Sequence, residues 1–203
     1  MSEFSVAILI LAACVFAASA AAKLHSRAAY RSFRAGLHET KLMSERLLPA
    51  AVAVLPGAEA VTAVGLAAAA VLVATAGTGA NPAAEAALTV ACLLITVLTA
   101  GVALVIHRGT QARCACFGAG STRPLGGAHL FRNLALLAVL ASGLASNPLG
   151  HGHPGPVGTF VAVTIGAAAA LLFIRWEDLA ELFAPIPSLP SAAPAPGRQG
   201  RSR

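Results

Sequence analysis

The sequence predicts an all-α protein: a polytopic transmembrane bundle of about five helices, four forming a core and one added, with the N-terminus outside. Composition is the first reason. Of 203 residues, 57% are hydrophobic and 11% charged, with mean hydropathy +0.77, whereas a soluble domain carries about 25% charged residues. So small a polar fraction cannot clothe a water-soluble globule, and a soluble enzyme is excluded. The second reason is five apolar runs of about the 20 residues that a span requires. The third is the order of the charges. Residues 25–46 hold five Lys or Arg and residues 108–132 hold four, while the connections 78–82 and 147–156 hold none. Basic connections mark the cytoplasmic side. The alternation therefore puts the N-terminus outside, and the 25–46 loop, the 108–129 loop and the C-terminus inside. The net charge of +6 then reflects topology and attraction to anionic lipid. One Trp and one Tyr offer no platform for stacking bases, and nucleic-acid binding is set aside.

The first run, residues 4–24, carries no charge before Lys23. Ala18-Ser19-Ala20 resembles a small-residue cleavage site, but Glu3 stands where a signal peptide needs a basic leader. Arg27, Arg31 and Arg34 follow the run closely, so it reads as an uncleaved helix. In residues 26–46, Ala29, Tyr30, Phe33 and Leu37 recur at helical spacing, while Arg27, Arg31, Arg34, His38 and Lys41 take other faces. That is the pattern of an amphipathic helix on the inner membrane surface, although a solvated basic loop fits the same residues.

The second span covers residues 48–76 and contains Pro49, Pro56 and Glu59; the third, 83–107, is entered through Asn81-Pro82, a helix-start signal. The fourth, 130–146, ends at Asn147-Pro148, and the fifth, 157–174, is closed by Arg175 and the interfacial Trp176. Residues 1–176 thus form one multi-pass domain of the cell membrane. The tail 185–203, rich in Pro and Ala and ending in three Arg, cannot bury enough apolar surface to fold and is expected to be disordered.

Chemistry concentrates in the four cysteines. Cys114 and Cys116 form a Cys-Ala-Cys unit just past the third span, beside Arg108 and Arg113. Neighbouring cations favour thiolate, the attacking species in disulfide exchange. A bridge across one intervening residue departs from relaxed geometry and is easier to reduce, which suits transfer of oxidising equivalents. Two other readings stay open. His107 and His129 are available to complete a four-ligand zinc site, or the two thiols are inert at a helix end. Cys14 and Cys92 sit mid-span and read as small apolar side chains. Glu59 lies a dozen residues into its span, where an unpaired carboxylate is costly. Lys23 is the nearest partner in sequence. The pair reads either as a proton relay or as a tie between helices, and a helix broken at Pro56 would leave Glu59 in a polar notch. Arg132-Asn133 opens the fourth span on the same side. No cofactor motif is evident, a quinone electron partner stays open, and no metal site is assigned.

These features, in this order, resemble the MauE family of methylamine-utilisation membrane proteins, within the wider group of DoxX-like membrane proteins. Lys23 closes the first helix and Leu55-Pro56-Gly57-Ala58-Glu59 enters the second; His107-Arg108-Gly109, Cys114-Ala115-Cys116-Phe117-Gly118 and Arg132-Asn133 follow. The likeness runs from residue 4 to about 175, and the Cys-x-Cys-Phe-Gly block is its most specific part. It implies a redox-associated role in maturing an exported, disulfide-containing client, the methylamine dehydrogenase small subunit, beside a thioredoxin-like partner of the MauD kind. By the same likeness Cys114 and Cys116 are the exchanging thiols, with Glu59, Lys23, Arg132 and Asn133 supporting them. Ala115 departs from the Gly expected between the cysteines and narrows the turn slightly.

One conflict accompanies this reading: the loops put Cys114 and Cys116 at the cytoplasmic end, while disulfides persist outside. Electrons pass outward from the pair, or the orientation is inverted, or the pair is reached through a cavity. The rivals are a non-catalytic scaffold or export partner with structural cysteines, and a transporter, for which few intramembrane polar groups are present.

Overall fold

The computed structural model describes residues 2–76, 82–110, 126–146, 154–176 and 178–179. Six helices make up the described chain: α1 (Ser2–Leu24), α2 (Arg27–Glu39), α3 (Leu48–Ala76), α4 (Pro82–His107), α5 (Gly127–Ser146) and α6 (Pro156–Ile174). All except α2 are long and apolar enough to cross a membrane. α5 starts three residues ahead of the apolar run because its first turn, Gly127-Ala128-His129, is helical without being apolar. The tail 185–203, with Cys114, Cys116 and Arg113, lies outside the described residues.

α1 is the hub. It packs against each of the other five helices and is the most buried of the spans. Its side chains from Ile8 to Phe16 meet Ala63, Leu66 and Ala70 of α3, Leu88 and Ala91 of α4, and Leu136 and Leu140 of α5 in one apolar core. Against α6 the contact is closer still. Ala162, Gly166 and Ala170 are buried at four-residue spacing, and Gly158 continues the same row against Glu3. A Cβ at Gly166 would collide with the backbone oxygen of Ala7, so only glycine lets the two backbones approach this far. Small residues repeated on one helix face are the usual means of such packing in lipid, where apolar surface alone gives no preference for protein over acyl chains.

α3 is about 43 Å long at 1.5 Å per residue, more than a hydrocarbon core of about 30 Å requires. Its first three turns run past the end of α1, where α2 covers them. Ser26 caps α2 by accepting a hydrogen bond from the Ala29 amide at 3.0 Å. The chain leaves the helix through Thr40 and turns at Lys41, whose φ is +52°. Ala29, Phe33 and Gly36 are the buried face of α2, and Phe33 packs with Leu48 and Val52. Of the apolar stripe read from the sequence, Ala29 and Phe33 are covered by protein, Leu37 partly, and Tyr30 is exposed.

Cross-contacts fix which helix ends lie together. Glu3 meets Gly158, and Ile8 meets Gly143, at the end where α1 begins. At the other end the Arg108 guanidinium donates to the Lys41 carbonyl at 3.4 Å. There too Phe131 of α5 stacks on Trp176 beyond α6, with centroids 5.5 Å apart. Every Lys and Arg among the described residues belongs to this second end.

Candidate functional site

The buried faces of three helices change character along their length. On α1, Ala12 and Phe16 give way to Ser19 and Lys23 at the same 4-3-4 spacing. On α3 the stripe Val52, Pro56, Glu59, Ala63, Leu66 carries its charge in the second position after Val52, and Glu59 is only 1% exposed. On α5, His129, Arg132 and Asn133 precede Leu136, Leu140 and Gly143. The helices are packed so that these polar stretches occupy one end of the bundle, and the result is a sealed polar cluster.

Its centre is an ion pair. Lys23 Nζ stands 2.6 Å from Glu59 Oε2 and 2.8 Å from Oε1. It also donates to Ser19 Oγ at 2.7 Å and approaches the Ser19 carbonyl at 3.3 Å. Ser19 Oγ in turn donates to Glu59 Oε1 at 3.1 Å, which closes the triangle. An ammonium has three donor hydrogens, and each finds an acceptor here. Phe33 of α2 covers the remaining side, its ring centroid 5.5 Å from Nζ, in reach of a cation–π contact. Arg132 is near enough to act electrostatically on Lys23, and its Nη2 donates to Asn133 Oδ1 at 3.2 Å.

Burying two charges is expensive unless geometry and further hydrogen bonds compensate. Here the ammonium and both carboxylate oxygens have close partners, so the cluster ties α1 to α3 and holds α2 over the junction. Pro56 does not break α3, which is continuous from Leu48 to Ala76; Glu59 therefore sits on a core stripe and not in an open notch. With both side chains of the pair at most 4% exposed, neither is open to the outside of the bundle in this fold.

The structure brings together four residues that the sequence singled out, Lys23, Glu59, Arg132 and Asn133. Arg108 is apart from them, exposed on the end of α4. Cys14 and Cys92 are free thiols packed at the edge of the apolar core. Two members of the cluster were missed by sequence reasoning. Ser19 was read only as part of a cleavage-like tripeptide, though its spacing of four from Lys23 is the signal for a shared helix face. Phe33 was recognised as an apolar position of α2 without its place over the ammonium.

Among the described residues, five candidate spans around a buried charge cluster define a multi-pass membrane protein. The chain belongs to the MauE family: the family model described as methylamine utilisation protein MauE matches residues 1–146, from α1 to the last residue of α5. Membership implies methylamine utilisation. No match was found among curated proteins or among solved structures.

Proposed function

We propose that this protein exchanges thiols and disulfides in the maturation of an exported client used in methylamine metabolism, with Cys114 and Cys116 as the reacting pair. The observation that carries the reading is two thiols one residue apart among arginines, in a member of a methylamine-utilisation family. One cysteine, as thiolate, attacks a sulfur of the partner's disulfide. The partner's S–S bond breaks, a mixed disulfide forms, and the departing sulfur takes up a proton. The second cysteine then attacks the mixed disulfide, releasing the partner as a dithiol and leaving Cys114 and Cys116 bridged. Two electrons have passed from this chain to the partner. A thioredoxin-like protein of the MauD kind then reduces the bridge back to two thiols, its own two thiols becoming a disulfide. Arg113, adjacent to Cys114, and Arg108 favour the thiolate.

Cys114 lies four positions after Thr110, the last described residue after α4. Four residue steps reach at most about 14 Å from Thr110. In this reading Lys23, Glu59, Arg132 and Asn133 are positioning residues that fix the helix ends from which the thiol segment leaves. The concentration of Lys and Arg at the end of the bundle that holds the polar cluster supports an inward orientation for it, with the N-terminus outside.

The test is growth on methylamine of a strain that depends on this gene. The C114S/C116S double variant, present in the membrane at the parent's level, is expected to abolish growth. Unimpaired growth overturns the exchange mechanism and leaves a scaffold with structural cysteines.

A further inference from the structure

α2 carries two stripes. Ala29, Phe33, Gly36 and Thr40 are buried against the bundle, and Arg27, Arg31, Arg34 and His38 are exposed. Each set follows a 4-3-4 spacing, and at 3.6 residues per turn the two lie on opposite sides of the helix. The bundle has thus taken up Ala29 and Phe33, left Tyr30 exposed, and turned the cations of α2 outward. The charges are not balanced evenly along the stripe. Towards its end, the groove lined by Arg31, Arg34 and His38 also contains Glu39 and Glu45, and His38 Nε2 stands 2.6 Å from Glu45 Oε1. Towards its start, a groove of about 380 Å³ between α1 and α2 is lined by Leu24, Ser26, Arg27, Tyr30 and Arg31. No acid lines it, and among the described residues neither arginine makes an ion pair. Ser26 is spoken for by its cap on α2.

A ligand for this groove has to satisfy two guanidinium groups one helical turn apart, neither in an ion pair among the described residues, although Arg31 also borders the acid-containing groove. It must also accept Leu24, the half-exposed last residue of a membrane span, and the ring of Tyr30. A soluble anion meets the first demand and not the second. An acidic protein surface has no reason to follow the wall of a span into lipid. An amphiphile with a negative head meets both, since guanidinium pairs well with phosphate and aromatic and basic residues gather at the headgroup level. We propose that this groove seats an anionic phospholipid of the leaflet at the α2 end, its phosphate between Arg27 and Arg31 and its acyl chain along Leu24. The site is separate from the cysteines and stands whether or not they exchange disulfides.

The experiment is native mass spectrometry of the full-length protein in detergent, with added palmitoyl-oleoyl phosphatidylglycerol or the corresponding phosphatidylcholine. One phosphatidylglycerol is expected to be retained in preference to phosphatidylcholine. The R27Q/R31Q variant is expected to weaken retention about thirtyfold, from the contribution of one cation near an anionic surface, counted twice. R34Q, on the balanced groove, is expected to retain the lipid, and R27K/R31K to keep most of the preference, which separates loss of the site from loss of the fold. Equal retention of the two lipids, undiminished retention by R27Q/R31Q, or displacement by millimolar inorganic phosphate overturns the proposal; the first of these would leave an acidic protein surface as the partner for the stripe.

Discussion

The two ends of α1 are held by different forces. Near its start the helix lies against α6 through glycine and alanine, backbone to backbone, and against α5 where Gly143 receives Ile8. Near its finish it is held by an ion pair, a serine hydroxyl and the ring of Phe33. The first kind of contact is made of many weak dispersion terms and tolerates no added volume. The second is made of few strong terms and tolerates no lost partner. In a membrane protein the difference has a direct consequence. Small-residue packing orders the helices, while the charge cluster fixes the level at which α1 stops against α3, because Lys23 and Glu59 satisfy one another only in that register.

The comparison can be broken at its stronger end first. E59Q removes the carboxylate and leaves the Lys23 ammonium buried without its counter-charge, so it is expected to destabilise the purified protein by about 3–5 kcal/mol in detergent unfolding. K23M/E59L, which removes both charges and keeps apolar volume, is expected to recover most of that loss. A double variant as unstable as E59Q would show that the pair has no such coupling. At the weaker end, G166V forces α6 away from the Ala7 backbone, and overpacking of this kind costs about 1–3 kcal/mol. A G166V protein as stable as the parent would mean that the α1–α6 contact is looser than described. If G166V proved the more damaging of the two, the ranking of the ends would be reversed.

Much of this was legible in the sequence, for physical reasons. Apolar runs of span length have one stable outcome in a bilayer, because every backbone polar group must bond within its own helix; the five spans follow. A carboxylate inside such a run needs a partner, and Lys23 was the near cation, so the pair was legible too. What the sequence withheld depends on which faces meet. The 4-3-4 row Gly158, Ala162, Gly166, Ala170 is plain once seen, yet alanine and glycine are so frequent in this chain that their spacing carries little signal. Ser19 was obscured by an alanine-rich neighbourhood that imitates a cleavage site. The role of α2 was ambiguous because an amphipathic stripe serves a membrane surface and a bundle equally well; the choice was made by Leu48 and Val52 on α3, which no local pattern of α2 reveals.

The proposal that the charged end of the bundle carries a redox pair facing the cytoplasm has one direct test. Cys114 and Cys116 are labelled with a membrane-impermeant, mass-adding maleimide in a C14A/C92A background, in intact and in permeabilised cells, with and without prior reduction. The account predicts no labelling in intact cells and, once the membrane is opened, labelling that prior reduction increases, because the pair cycles between dithiol and disulfide. Labelling of equal extent with and without reductant would contradict it, since the pair would then hold no disulfide to exchange.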